Sequence, residues 1–247
     1  MTKGLENLSS REYPGRVIII GQDPSGENTV VIYAITGRSP SSQSRKLVLE
    51  EDAIQAMPTD EEAIQKGNIE LLVYTAILFS SQGIAVSNGR QTPDIGSALG
   101  RSQNPEEVLS SALGKWDYEP DPPIFTPRIS GCVLLGGKAA LSLIRRGPDG
   151  SSLRDYYQIP LKAGEGRLIA TYSGENTDPV PSFTEKPAAV EIQAKSADEM
   201  AESVYEALGP EAGKSDFRVS VACVYSGDIT TGCNEIYIIN RNERIKS

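Results

Sequence analysis

Short apolar runs separated by turn residues dominate the first part of the chain. Residues 16–21 and 29–37 are rich in Val and Ile, and the segment QDPSGEN between them contains Pro, Gly and Asn. Apolar runs rich in β-branched residues favour strands, and Pro, Gly and Asn favour turns. The pattern therefore predicts a β-hairpin. KLVLEED, which begins at the end of the polar stretch 41–46, predicts a third strand.

Three segments have the features of helices. NPEEVLSSALG begins with Asn104 as the cap, a proline at the first helical position and two glutamates in the first turn. SADEMAESVYEALG has Ser196 as the cap, Glu199 three positions later as a capping box, and Gly209 at its end. GNIELLVYTAILFSSQG, residues 67–83, fits helix or strand by composition, but its length and its Gly83 stop favour a helix.

The rest of the chain reads mostly as strands. IAVSNGRQT predicts a strand that ends on an Asn-Gly turn. ISGCVLLGG and AALSLIRRG predict two strands, or one strand and a short helix, and LRDYYQIPLKAGEGRLIATY predicts a β pair around AGEG. AAVEIQ, FRVSVACVYSG and NEIYIINRN predict three further strands. Hairpins without regular βαβ alternation indicate an α+β layered domain.

The length of 247 residues is enough to bury a sizeable core, and the simplest division is one domain over residues 13–247 after a loose, polar segment 1–12. No apolar run approaches the roughly 20 residues that span a bilayer, and the polar N-terminus has no secretory signal. We therefore expect a cytoplasmic protein without a membrane partner. The net charge of −9 argues against a nucleic-acid partner.

The chain contains no histidine. A Ser-His-Asp triad, a Cys-His dyad and a His-ligated metal are therefore excluded, and acid–base chemistry falls to Asp, Glu, Lys, Tyr, Arg or the substrate. The three cysteines are widely spaced, so we expect small buried hydrophobes rather than a disulfide framework or a zinc site. The sequence predicts neither a metal nor a cofactor.

Four segments carry groups suited to a polar or anionic ligand: GRSPSSQSR (37–45), VSNGRQT (86–92), TPRI (126–129) and TYSGENTDPVPSF (171–183). Each segment is also explained by structure alone. The first would be a solvated turn, the second a hairpin turn, the third a surface loop and the fourth a connection between strands. In TPRI, Pro127 fixes its own φ and keeps Thr126 extended, which suits Arg128 to holding an anion. GGKAAL lacks the upstream glycine and the hydroxyl residue that a phosphate-binding loop requires.

The order of these motifs is more specific than any one of them. YPGRVIIIG, GRSxxSxxR, YTA, VSNGRQT, DYExDxxxxTPRISG and TYSGENxDPxPSF follow one another over residues 13–185. This series resembles the archaeal-type IMP cyclohydrolase family and its bacterial relatives. TPRI and TYxGEN are its most distinctive parts.

The resemblance implies a four-layer αββα sandwich like that of the N-terminal-nucleophile hydrolases, without a processed nucleophile. It also implies ring closure of 5-formamidoimidazole-4-carboxamide ribonucleotide to IMP and water, with a purine nucleotide as the partner; a homo-oligomer is left open. One alternative is a non-catalytic purine-nucleotide-binding protein on the same fold. An amide hydrolase with an N-terminal nucleophile is a weaker alternative, because about a dozen polar residues precede the first strand.

The resemblance also implies roles for individual residues. Arg45 stabilises charge near the reacting groups, Tyr74 donates or relays a proton at the formyl oxygen, and Glu119 transfers a proton. Asp121 is the alternative carboxylate, because the neighbouring prolines shift the alignment there. The implied substrate-binding residues are Arg38, Ser39, Asn88, Gly89, Thr126, Arg128, Gly174, Glu175 and Asn176.

Overall fold

Two large antiparallel sheets form the framework of the protein. The structure is a computed structural model that describes residues 4–59, 72–229 and 233–244. Its strands are β1 (Arg16–Gln22), β2 (Thr29–Thr36), β3 (Arg45–Glu50), β4 (Ala53–Pro58), β5 (Tyr74–Ser80), β6 (Gly83–Ser87), β7 (Arg128–Leu134), β8 (Lys138–Arg146), β9 (Ser152–Ile159), β10 (Glu165–Ala170), β11 (Ala188–Glu191), β12 (Arg218–Asp228) and β13 (Cys233–Asn240).

One sheet has six strands in the order β11-β10-β1-β2-β12-β13, and the other has seven in the order β3-β4-β5-β6-β7-β8-β9. The predicted hairpin is confirmed, because β1 and β2 pair antiparallel from Arg16 opposite Ile35 to Gln22 opposite Thr29. The strand predicted from KLVLEED is confirmed as β3.

The largest apolar cluster draws residues from both sheets, including Ile20 of β1 and Ile129 of β7. The two sheets approach closely at Gly131, where an added Cβ would lie 2.7 Å from Ile20 Cδ1. Every residue of β2 is buried, so this strand is covered on both faces. Burial of these apolar side chains is the main favourable term in forming such a two-sheet core.

Six helices lie in the described residues: α1 (Glu6–Ser9), α2 (Pro40–Gln43), α3 (Thr92–Ala98), α4 (Pro105–Leu113), α5 (Ala197–Ala207) and α6 (Arg241–Arg244). Helices α3 and α4 pack against strands of the seven-stranded sheet, whereas α5 packs on β12 and β13. The sequence prediction of an α+β protein rather than a doubly wound one agrees with this mixture of two antiparallel sheets and few helices.

The two helices with predicted caps differ in how those caps are made. At α4 the Asn104 Oδ1 accepts a hydrogen bond from the N–H of Glu106 at 2.9 Å, as predicted. At α5 the side chain of Ser196 makes no cap and bonds Asp198 instead, while Glu199 accepts from the Lys195 N–H at 3.1 Å. The reciprocal capping box predicted there is therefore wrong, although the helix itself is confirmed.

Two other predictions of local structure are wrong. Residues 67–83, which were predicted to form a helix, instead include strand β5 from Tyr74 and the first residue of β6, Gly83. The first residues of this segment lie outside the described part of the chain. This apolar run fits either structure, and pairing of β5 with β4 and β6 stabilises the strand. The β pair predicted around AGEG does not form, because β9 pairs with β8 while β10 pairs with β1 and β11.

The alternative of two strands for residues 129–146 is the correct one, since β7 and β8 pair with each other.

Near the N-terminus, Leu5 and Leu8 beside α1 are buried, so part of the segment expected to be loose contacts the core. The division of the chain at residue 13 stays a prediction. Within the described ranges, no helix has both the length and the apolar character that crossing a bilayer requires.

Candidate functional site

A cavity of about 300 Å³ lies where the two sheets meet the loops after β2 and before β7. Arg16 at the start of β1 and Arg45 at the start of β3 reach it from different sheets. The loop before β7 contributes Glu119 and Thr126, and Tyr172 lies on a further wall. Because these groups lie on strand ends and on loops bonded to strands, the framework fixes their positions.

Glu119 is an almost fully enclosed charged group of the site, with 1% of its surface exposed. The Arg16 Nη2 donates to its two oxygens at 3.3 and 3.2 Å. Arg128 Nη1 lies 3.7 Å from Glu119 Oε1, and the Asn88 amide donates to the same oxygen at 3.5 Å. The carboxyl group therefore sits between two guanidinium groups.

Burial and charge act in opposite directions on these groups. Burial raises the pKa of Glu119, and the neighbouring Arg16 and Arg128 oppose that rise. Burial also opposes the charge of Arg16, but the carboxylate of Glu119 and nearby tyrosines hold the Arg16 pKa well above its ordinary value. Arg16 thus stays charged, and the pKa of the Glu119 carboxyl lies above that of a free glutamate.

Asn88 fixes the backbone on both sides of Arg128. Its Nδ2 donates to the Pro127 carbonyl at 2.9 Å, and its Oδ1 accepts from the Ile129 N–H at 2.9 Å. An added Cβ at Gly89 would lie 2.8 Å from Arg128 Nη1, so the absence of a side chain there leaves room for the guanidinium. The VSNG turn therefore positions the arginine.

The guanidinium of Arg128 is bonded mainly to protein groups. Its Nε donates to the Asp117 carbonyl at 2.8 Å and its Nη1 to Gln91 Oε1 at 3.1 Å. Its Cζ also lies 4.8 Å from the centre of the Trp116 ring. Arg128 thus lies behind Glu119 as seen from the cavity, and burial lowers its pKa.

Tyr74 meets the six-stranded sheet through a hydrogen bond. Its hydroxyl lies 2.6 Å from that of Tyr33 on β2, and the two rings are almost perpendicular at a centroid distance of 6.5 Å. Burial raises the pKa of Tyr33 well above its ordinary value, with a further rise from Tyr74 and an opposing effect of Arg16 and Arg45. Tyr33 therefore keeps its proton and lies within electrostatic reach of both arginines.

Hydrogen bonds between its own residues hold the loop that carries Glu119. Asp121 accepts from the Thr126 N–H at 2.7 Å and from the Thr126 hydroxyl at 2.6 Å. The Thr126 hydroxyl also lies 2.8 Å from that of Tyr172, whose ring stacks on Tyr13 at 5.5 Å. Asp121 lines the cavity, but both of its oxygens hold the loop together.

The mouth of the cavity is formed by Arg38 and the serines of α2. Arg38 Nη1 donates to Asn176 Oδ1 at 3.2 Å and to the carbonyl of residue 177 at 2.8 Å. The Ser39 hydroxyl, also at the cavity wall, bonds those of its neighbours in α2. Gly174 accepts from the Tyr13 N–H at 2.8 Å and supports that wall, whereas Glu175 is exposed.

The structure thus separates the predicted site residues into three groups. Those that line the cavity are Arg38, Ser39, Arg45, Glu119 and Thr126. Those that lie behind or beside it are Tyr74, Asn88, Gly89 and Arg128, and those near its rim are Gly174, Glu175 and Asn176.

Sequence reasoning missed Arg16, Tyr33 and Tyr172. The sequence did contain an indication for Arg16, which is the charged first residue of the apolar run RVIIIG. A charged residue at the start of a central strand needs a buried partner. Tyr33 lies in an apolar run, where an aromatic residue is ordinary core. Tyr172 belongs to the TYSGEN segment, from which Gly174, Glu175 and Asn176 were predicted instead.

These features define a mixed α and β protein with two antiparallel sheets and a cavity suited to a small polar ligand, lined by arginines and a buried carboxyl group. Residues 13–228 match the sequence model of the IMP cyclohydrolase-like protein family, and the chain belongs to this family. A search of the curated proteins finds no match. Membership of the family confirms the resemblance, and it indicates a role related to IMP cyclohydrolase with a small-molecule nucleotide as substrate.

Proposed function

We propose that the protein is an IMP cyclohydrolase, which closes the ring of 5-formamidoimidazole-4-carboxamide ribonucleotide to give IMP and water. One observation carries the proposal: in a chain of this family, the buried carboxyl of Glu119 is held by arginines at the wall of a cavity of about 300 Å³. That volume is at the lower end of the range for small-molecule sites.

The reaction joins two groups of one molecule. The carboxamide nitrogen attacks the formyl carbon, a C–N bond forms, and negative charge develops on the formyl oxygen. One proton leaves the carboxamide nitrogen and the oxygen becomes a hydroxyl. The formamido nitrogen then loses its proton, the hydroxyl leaves as water, and a C=N bond completes the ring. Holding the reacting groups together supplies much of the rate of such an intramolecular step.

The residues around the cavity match these demands. Glu119 accepts the carboxamide proton, since a raised pKa makes its carboxylate a stronger base than that of a free glutamate. Arg45 supplies positive charge to the developing oxyanion. Tyr74, held by its bond to Tyr33, is the hydroxyl that relays a proton at the formyl oxygen. Asp121 is the weaker choice of carboxylate, because both of its oxygens bond Thr126.

We extend the proposal to the layers of the fold. Helices α3 and α4 pack on one sheet and α5 packs on the other. This placement supports a four-layer αββα sandwich of the N-terminal-nucleophile hydrolase type.

The direct test is turnover. Purified, chelator-treated protein is mixed with the formylated substrate, and IMP formation is followed by ultraviolet absorbance. We expect IMP to form faster than in the absence of protein. Folded protein that gives no IMP above this background would rule the proposal out.

Two variants test the assigned roles. Glu119→Gln should lower kcat by roughly 10²–10⁴-fold, the usual contribution of a general acid or base, and Tyr74→Phe should also lower kcat. Glu165→Gln and Tyr237→Phe are matched controls, because both side chains are exposed in part and belong to strands outside the cavity. Full activity in both site variants would refute the assignment.

The alternative, a purine-nucleotide-binding protein without turnover, predicts a different result. IMP would bind, as measured by titration calorimetry, while the substrate would stay unchanged. The hydrogen bond from Arg38 to Asn176 at the cavity mouth is compatible with turnover and with binding alone, since both require the nucleotide to be bound.

A further inference from the structure

Two buried guanidinium groups line the cavity with unsatisfied N–H groups. Arg16 Nε and Arg45 Nη1 are both shielded from solvent, and neither has a hydrogen-bond partner among the residues that the structure describes. Both residues are little exposed, at 8% for Arg16 and 1% for Arg45. Unpaired buried donors are costly, so each calls for a partner that comes from outside the chain.

One other donor nitrogen of each guanidinium is bonded to the protein. Arg16 Nη2 is bonded to Glu119, and the backbone of Arg16 is fixed through its N–H to Thr171 Oγ1 at 3.1 Å. Arg45 Nε donates to the Ser42 carbonyl at 2.9 Å. Each guanidinium is therefore oriented by one bond and leaves another N–H free. Both residues line the same cavity.

We propose that Arg16 is a further catalytic residue, and that Arg16 Nε–H and Arg45 Nη1–H together form a donor site for a carbonyl oxygen of the ligand. The proposal rests on the proposed function, in which that oxygen is the formyl oxygen that gains negative charge. Fixed donors aimed at developing charge in a buried place are an effective source of catalysis.

A carbonyl oxygen fits this place better than a phosphate group does. The carboxyl of Glu119 lies 3.2 Å from the Arg16 guanidinium, and a phosphate dianion on the same arginine would be repelled by it. A neutral oxygen that becomes negative only in the transition state avoids most of that cost. Arg38 and the serine hydroxyls at the more open mouth remain available for a phosphate.

The test uses the conservative variant Arg16→Lys. Lysine keeps the positive charge beside Glu119 but lacks the second, sideways N–H of the guanidinium. We expect kcat and kcat/KM to fall together, by roughly 10²–10³-fold, as for the loss of one oxyanion donor. Arg167→Lys on β10 is the matched control, since its guanidinium pairs with Glu165 and not with the cavity.

A second variant separates catalysis from a structural role. In Arg16→Ala, added guanidinium at millimolar concentration should restore part of the turnover in a concentration-dependent way, whereas sodium should not. A purely structural arginine would alter thermal stability but would give no such rescue. Wild-type kcat in Arg16→Lys, or loss of activity without rescue in Arg16→Ala, would overturn the proposal while leaving the cyclohydrolase reaction in place.

If the unmodified protein shows no turnover, the proposed function fails, and binding of the formylated substrate, which then stays unchanged, tests the donor site separately. Titration calorimetry should show this substrate binding about tenfold or more weaker in Arg16→Lys and in Arg45→Lys, since a bond to a charged group contributes about 1.5–3 kcal/mol. Equal affinity in the variants, or no binding by the wild type, would overturn the donor site. Binding of inorganic phosphate that depends on Arg16 would overturn its assignment to a carbonyl oxygen.

Discussion

Replacing Asn88 with alanine tests how the fold fixes the arginine behind Glu119. The Asn88 side chain is fully buried and satisfies two backbone groups, the Pro127 carbonyl and the Ile129 N–H, each at 2.9 Å. In Asn88→Ala both groups lose their partner in a buried place. An unsatisfied buried polar group costs about 1–3 kcal/mol, so the free energy of unfolding should fall by roughly 2–6 kcal/mol.

Thermal unfolding followed by circular dichroism measures this loss. For a protein of this size each kcal/mol corresponds to roughly 2–4 °C, so even the lower end of the range lowers Tm by about 4–8 °C. Asn7→Ala is the matched control: it removes one exposed bond to the Ala189 carbonyl and should change stability by no more than about 0.5 kcal/mol.

A loss in Asn88→Ala no larger than that in Asn7→Ala would refute the reasoning. It would mean that the backbone on either side of Arg128 finds other partners once the amide is gone. Because that backbone carries Arg128 towards Glu119, we also expect turnover of Asn88→Ala to be lower than that of the control.

Three further predictions concern the acid limb of activity, the buried thiols and a helix cap. Burial raises the pKa of Glu119, so activity should be present above that raised pKa and be lost as pH falls through it. Glu119→Gln should flatten the acid side of the plot of kcat against pH, and an unchanged acid side would contradict the role of Glu119 as the base. Burial raises the pKa of Cys132 to about 12 and holds the pKa of Cys223 well above its ordinary value, so neither thiol should react with iodoacetamide at pH 8 in the folded protein. Peptide mass spectrometry checks this, and labelling at the rate of the unfolded chain would contradict their burial. Asn104→Ala should cost about 1 kcal/mol in thermal unfolding through loss of the α4 cap, and an unchanged Tm would show that the cap contributes little.

Features that depend on neighbouring residues could be predicted from the sequence. The hairpin of β1 and β2 follows from two β-branched runs around a turn, and α4 follows from its cap, proline and acidic first turn. The family also followed from the sequence, because the order of several short motifs is specific even where each motif is weak. In these cases the information is local or is carried by the chain order.

Features that depend on residues far apart in the chain required the three-dimensional structure. Tyr74 lies on a strand rather than a helix, since pairing of β5 with its two neighbours outweighs an ambiguous local preference. Strands β9 and β10 follow each other in sequence but enter different sheets.

The same holds for the centre of the candidate site. Arg16 and Glu119 are 103 positions apart, and no local pattern brings them together. Two charged groups that would be costly to bury singly are tolerated because the packing of the two sheets places one against the other. The sequence thus supplied the types of residue at the cavity, and the packing of the sheets determined which of them face the ligand.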